Sequence, residues 1–271
     1  MISTPQGRPP PTESYDPALY ADLAAVEDRH FWFRARNQTI LSLFRSVEPT
    51  LANGYRVLEV GCGDGNVLQA LAPAATRGVV IGMDLHLAGL AIAHRRAGSA
   101  RLVCADIAHP PFDGDVDVIG LFDVLEHLDD DISALRALHA ILKRGGVLLI
   151  TVPAAPALWS YFDVASHHKR RYTIGELSSR LRSAGFSIER LTPYMSPLYP
   201  LVWISRKALR RNANRSSDPV DGWNVAQADL RVRPVIGVVL EFLLKQESRL
   251  LNRGWTPPIG TSLLGIARKA D

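Results

Sequence analysis

Residues 55–65 read Tyr-Arg-Val-Leu-Glu-Val-Gly-Cys-Gly-Asp-Gly, and this stretch narrows the possible folds more than any other. Val57, Leu58 and Val60 suit a buried strand, with Glu59 near its C-terminal end. Gly61, Gly63 and Gly65 then permit a sharp turn and a close backbone approach to a ligand, because no Cβ intervenes. Helical spacing resumes from Val67 to Leu71, so the loop is expected to feed a helix N-terminus that favours negative ligand groups. Alone, such a loop is also an ordinary strand–helix turn. The segments downstream raise it above that.

Apolar runs suited to buried parallel strands fall near 55–60, 78–83, 100–104, 116–121 and 146–152. Helical segments near 65–72, 86–97 and 129–142 alternate with them, and Lys143-Arg144-Gly145-Gly146 reads as a helix end turning into the fifth strand. Two more strands are expected at 186–191 and 262–268. Alternating strands and helices predict an α/β fold with an open, doubly wound, largely parallel sheet. Upstream, residues 1–17 carry Pro5, Pro9, Pro10 and Pro11 and read as a flexible tail without a signal peptide. Residues 18–50 read as an N-terminal helical cap, with Leu19, Leu23, Val26, Phe31, Ile40, Leu41 and Phe44 at helical spacing. The core is expected over 51–192 and 259–271, with a helical insertion over 193–258 that contains a polar loop at 212–222.

Three acids fall where such a sheet presents its ligand edge: Glu59 ends the first strand, Asp84 the second and Asp106 the third. Asp84 lies about 20 residues beyond the glycines, the spacing at which an acid accepts hydrogen bonds from both ribose hydroxyls of an adenosine ligand. Asp106 and Ile107 are placed to bracket an adenine ring. One such acid is commonly a turn cap; three at successive strand ends is a pattern.

The same motifs carry a family resemblance. Glu59-Val60-Gly61-Cys62-Gly63-Asp64-Gly65, Asp84, Cys104-Ala105-Asp106, the run from Asp117 through Phe122 to Leu128, and Leu142 through Ile150 occur in the order found in class I S-adenosylmethionine-dependent methyltransferases. The chain resembles that family over about residues 55–152, nearest the quinone-biosynthesis branch. His30-Phe31-Trp32-Phe33-Arg34-Ala35-Arg36, Leu158-Trp159-Ser160, Asp163 and His167-His168-Lys169-Arg170-Arg171-Tyr172-Thr173 resemble bacterial members from glycan, lipid and secondary-metabolite pathways. The resemblance implies a Rossmann-like seven-stranded sheet whose last pair contains an antiparallel strand. It implies S-adenosyl-L-methionine as cofactor, held by Glu59, Gly61, Cys62, Gly63, Asp84, Leu85, Asp106, Ile107 and Phe122, and an enzyme that transfers a methyl group. The expected acceptor atom is an oxygen of a small molecule, sugar or lipid-linked metabolite, with nitrogen, carbon and a non-catalytic cofactor-binding scaffold left as alternatives.

An activated methyl donor needs little beyond alignment with its acceptor, plus a base where a hydroxyl must lose its proton. His127, His167 and His168 are the candidates, the last two beside Lys169, Arg170 and Arg171. Three consecutive aromatics, Phe31, Trp32 and Phe33, cannot all face one core from a helix. At least one, Trp32 among them, is expected at the cofactor pocket, with Arg34 or Arg36 near the methionine carboxylate; the rival is two packed inward and one at the surface.

Cys62 and Cys104 show no zinc-type spacing, so no metal is expected and the chain reads as reduced and cytoplasmic. His109-Pro110-Pro111-Phe112 stands after the third strand and reads as a turn, not as the fourth-strand signature of nucleic-acid methylation. Asn66 occupies the place where a dinucleotide fingerprint wants glycine or alanine, which argues against a dehydrogenase. Charge is uneven: residues 1–166 hold 13 Lys and Arg against 19 Asp and Glu, residues 167–271 hold 18 against 8. In the insertion, Leu201-Val202-Trp203-Ile204 precedes Arg206, Lys207, Arg210 and Arg211, which suits a substrate lid, a homodimer contact or a helix at the inner membrane face.

Overall fold

The computed structural model describes residues 2–3, 24, 26–212 and 234–270. Seven strands form where expected: β2 (Arg56–Val60), β3 (Val79–Asp84), β4 (Arg101–Cys104), β5 (Val116–Phe122), β6 (Leu142–Pro153), β7 (Phe186–Tyr194) and β8 (Ser262–Lys269). Their order across the sheet is β4-β3-β2-β5-β6-β8-β7, with β8 antiparallel to both neighbours and the others parallel. A two-residue strand, β1 (Ile2–Ser3), pairs with the outer edge of β4. It falls in the segment read as a tail; an open edge of unpaired backbone groups is what recruits it. Leu19, Leu23 and the loop read at 212–222 lie outside the described residues, apart from Asn212.

Strand residues alternate between two cores. Val57, Val80, Val118 and Leu149 face one, whereas Leu58, Ile81, Ile119 and Leu148 face the other. The first is covered by α1 (Phe31–Val47), α2 (Leu68–Ala74), α3 (Leu87–Arg96) and α8 (Pro234–Asn252). The second is covered by α4 (Asp131–Ile141) and α6 (Ile174–Ser183). Burial on both faces explains why the central strands read as continuous apolar runs.

Three boundaries differ from the sequence reading. The glycine loop runs on through Val67, so α2 starts at Leu68 and contains Pro73. Residues Lys143 and Arg144 join β6 rather than ending α4, because Leu142 pairs with Val116 and Lys143 Nζ meets the Asp117 carboxylate at 2.8 Å. β7 continues to Tyr194, and a Cβ at Gly260 would stand 2.2 Å from the Tyr194 carbonyl oxygen, so only glycine lets the chain return into β8 there. The insertion therefore starts past Tyr194. It consists of α7 (Tyr199–Asn212) and α8 among the described residues.

α5 (Tyr161–Ala165) and α6 each begin with a capping box, Ser160 with Asp163 and Thr173 with Glu176. Between them the chain is tied to the start of α4 by Asp131, a buried carboxylate. It accepts from Arg170 at 2.9 Å, Arg180 at 2.5 Å and the Tyr172 hydroxyl at 2.9 Å. Removing it takes a charged acceptor from two guanidinium groups and a buried phenol, of which Arg170 keeps only the Asp129 carbonyl and Tyr172 only the Leu125 carbonyl. Asp131→Ala is expected to cost about 3–5 kcal/mol in a denaturant melt; a loss under about 1 kcal/mol would show the network to be ornamental.

Candidate active site

The carboxyl ends of β2 to β6 open onto one cavity of about 1360 Å³, lined on its other sides by α1, the 161–171 segment and the insertion helices. This is the crevice position expected of a doubly wound sheet.

Its floor is the glycine loop. Gly61, Gly63 and Gly65 have φ of +71°, +52° and +83°, and a Cβ at Gly61 would meet Val124 Cγ2 at 2.4 Å. Backbone bonds from Gly61 and Cys62 to the Met83 carbonyl lock the loop against the end of β3. Asp84 completes the arrangement: Oδ2 accepts from the Gly63 N–H and Oδ1 from the His86 N–H, each at 2.8 Å. Each oxygen keeps a lone pair for a further donor, and the buried carboxyl lines the cavity. Desolvation pushes its pKa up, opposed by those two N–H groups.

Glu59 is also buried on the cavity wall, and its Oε2 has no hydrogen-bond partner. Burial raises its pKa well above the ordinary carboxylate range, with Arg36 pulling the other way. An orphaned buried acid is costly unless a cation or donor arrives to meet it. Loop, Asp84 and Glu59 thus fit a ligand with a sugar diol and a positively charged group.

Leu85, Asp106 and Ile107 border the same cavity beyond β3 and β4, as does Phe122 beneath it. Asp106 Oδ1 accepts from the Ala108 N–H at 2.9 Å, fixing the turn that holds Ile107. Cys62 lines the wall too, but its sulfur packs toward Gly82, and burial drives its thiol pKa well up, so it is no nucleophile.

The aromatic segment lies at the cavity instead of dividing between core and surface. Phe31, Trp32 and Phe33 all border the cavity, Phe31 while also joining the core. The helix achieves this because the cavity wraps over its first turn, so successive side chains fan across one opening. The two arginines part ways. Arg34 turns to α8 and pairs with Glu241 at 2.5 Å, whereas Arg36 faces the cavity, held by Asp123 Oδ2 at 2.5 Å and the Phe122 carbonyl at 3.2 Å. Asp123 adopts φ +54° to reach it.

The opposite wall carries the histidines. His167 is exposed, with φ +54°. His168 is oriented: its Nδ1 lies 2.9 Å from Asp163 Oδ1, and its Nε2 lies 3.9 Å from Glu126 Oε1. Asp163 is fully buried and also accepts from Arg171 Nε at 2.7 Å and the Ser160 N–H at 2.9 Å. Burial alone would raise its pKa, but the His168 bond and the Arg171 charge hold it below the usual range. His127 stacks edge-on against His168, ring centroids 4.9 Å apart, and burial lowers its pKa to about 4. Glu126, His127 and His168 bring one donor atom each within 4.8 Å of one another.

Residues 28–191, more than half the chain, match the family described as Methyltransferase domain. The chain belongs to that family. Among its relatives is a probable S-adenosylmethionine-dependent methyltransferase of Mycolicibacterium smegmatis, 32% identical over 62% of this chain and 63% of that protein. A ubiquinone biosynthesis O-methyltransferase of Pseudomonas aeruginosa is 30% identical over 42% of this chain and 52% of that protein. The chain thus spans less than two thirds of these curated relatives' lengths. Among solved structures, phosphoethanolamine N-methyltransferase 2 of Haemonchus contortus in complex with S-adenosyl-L-methionine shares the fold, with TM-score 0.61 at 17% identity over 96% of this chain and 59% of that one. A putative sarcosine dimethylglycine methyltransferase from Galdieria sulphuraria does so with TM-score 0.56 at 15% identity over 87% and 86%. The fold is that of the class I methyltransferases, whose cofactor is S-adenosylmethionine.

Several residues of the methyltransferase cavity escaped sequence reasoning. Asp123 and Glu126 sit inside a motif whose acids have no periodic signature, and the spacing around Asp163 assigns it no role. Glu27 borders the glycine loop and, with Asp64, is bridged by Arg96; burial and the Asp64 charge raise its pKa to about 7. Leu201, Val202, Ile236 and Leu240 reach the cavity from the insertion. Leu201 and Val202 belong to the apolar run whose pattern suits a substrate lid, whereas Ile236 and Leu240 stand beside no recognisable motif, so only the fold brings those two in.

Proposed function

We propose that this chain transfers the methyl group of S-adenosylmethionine to an oxygen atom of a small-molecule, sugar or lipid-linked acceptor. One observation carries the reading: an acid-and-glycine cradle and a carboxylate-held histidine line the same cavity. The relative that acts in ubiquinone biosynthesis as an O-methyltransferase supports oxygen as the acceptor atom.

In this reading Asp84 grips the ribose hydroxyls, and Asp106 with Ile107 brackets the adenine. Gly61, Cys62 and Gly63 give the backbone approach, with Leu85 and Phe122 packing around the adenosine. Glu59 meets the positive charge of the methionine part, and Arg36 with Trp32 closes over its far end. The donor supplies an activated methyl group, so the protein's task is alignment and deprotonation.

His168 is the better base of the three histidines. Asp163 on its Nδ1 would fix the tautomer that leaves Nε2 free to accept the acceptor's hydroxyl proton. Glu126 is buried beside Nε2, and burial raises its own pKa well above the ordinary carboxylate range. His127, with its pKa near 4, stays neutral and is a weak base, suited to orienting its neighbour. His167 would contact the acceptor from the rim.

Titration calorimetry with S-adenosylmethionine and its demethylated product tests the donor half, and isotopically labelled donor with hydroxylated metabolite extracts tests the acceptor half. Saturable binding of both donor forms and label in an ether linkage are expected. Absence of donor binding would remove the enzymatic reading, and label only in amines would move the acceptor atom to nitrogen.

A further inference from the structure

The insertion leaves an apolar surface that the described fold does not cover. On α8, Val238 is 68% exposed and Phe242 59%, with Ile236, Val239 and Leu243 also exposed. Its opposite face, Leu240, Leu244 and Leu251, is buried against α1, so the helix is apolar on both sides through its first half. On α7, Trp203 and Ile204 are 45% and 58% exposed, and Lys207 Nζ lies 4.7 Å from the Trp203 ring centroid. A water-facing helix has no reason to carry such residues.

Charge decides what the surface fits. The sequence of α7 holds Lys207, Arg210 and Arg211 and no acid, and its other cation, Arg206, turns instead into the cavity, its guanidinium over the Tyr161 ring. In α8 the apolar stretch passes into Lys245, Arg249 and, just beyond, Arg253. Its two acids turn inward: Glu241 is buried against Arg34 and Lys245, and Glu247 is buried against the Met195 and Ser196 N–H groups. No carboxylate from either helix therefore reaches the outer face. Pairing two copies through this surface would set cation against cation. An anionic lipid surface accepts both the apolar side chains and the positive rim. Among the described residues no helix is long and apolar enough to cross a membrane, so the contact is interfacial.

We infer that the outer faces of α7 and α8 dock on an anionic bilayer, setting the cavity mouth at the headgroup level. The mouth agrees with this. Leu201 on α7, Ile236 on α8 and Val164 on α5 are each exposed and each line the cavity, giving an apolar rim opposite the polar donor floor. An amphiphilic acceptor with a hydrocarbon tail would pass that rim from the lipid phase. This acceptor class rests on the methyltransferase reading above, whereas docking does not.

The test is co-sedimentation of the full chain with vesicles of phosphatidylcholine alone and with added phosphatidylglycerol, beside Trp203→Glu/Phe242→Glu. Neither residue lines the cavity. Wild type is expected to bind the anionic vesicles and to be released by high salt, and the double variant to bind about tenfold or more weakly with unchanged donor affinity and melting. No binding to anionic vesicles, or binding equal in wild type and variant, overturns the inference. So does a wild-type dimer that the variant dissociates without any vesicle binding. Loss of donor binding in wild type would instead strike the methyltransferase reading and leave docking standing.

Discussion

Asp84→Ala is expected to weaken S-adenosylmethionine binding about 100-fold or more. Two charge-assisted hydrogen bonds to a ribose diol are each worth about 1.5–3 kcal/mol. The variant also removes the acceptor that holds the Gly63 and His86 N–H groups at 2.8 Å, so the loop loses its anchor at the same time. Those two losses act on one site and do not simply add. Asp84→Asn separates them, because an amide oxygen can still accept one of the N–H groups while the charge is gone. Calorimetry should rank wild type above Asn and Asn above Ala, with thermal melts confirming a folded chain. Donor affinity unchanged in the alanine variant would sink the ribose role and, with it, the assignment of the cavity floor.

The second large effect is expected at His168. Its replacement by alanine should lower kcat with a hydroxyl acceptor by about 10²–10⁴-fold, the usual worth of a positioned base, while leaving donor affinity near wild type. Asp163→Asn keeps the shape but no longer stabilises the imidazolium, so the rate should fall less and the pH–rate profile should move. A purely structural Asp163 would change melting and leave that profile where it was. His127→Gln offers the contrast. A group with a pKa near 4 is already neutral across the working range, so its loss should not shift a limb near neutral pH. Undiminished kcat in His168→Ala would return the base to solvent or to the acceptor itself.

The placement of the acids in the proposed donor half was legible in the sequence. Glu59, Asp84 and Asp106 each stand at or just past a strand end, and a parallel sheet must deliver its strand ends to one edge. Seven strands and the principal helices of the core followed from apolar period and glycine punctuation for the same local reason. The acceptor half was not legible to the same degree. His167 and His168 drew attention as a pair, but which one is oriented depends on Asp163, Arg171 and Glu126, brought in by α5 and the turn after β5.

What the chain's own order of residues settled was local: where strands start, where the backbone must turn through positive φ, and which acids close a strand. Period, propensity and the absence of a Cβ act within a few residues, so they can be read along the chain. The tertiary structure decided everything that needs two distant segments to meet. It sent Arg34 to Glu241, over 207 positions, and Arg36 to Asp123, over 87. It also made α8 a wall of the core as well as an outer face, because its Leu240, Leu244 and Leu251 found the apolar side of α1. Long-range burial chooses partners by shape and area, and neither is written in the spacing of one helix.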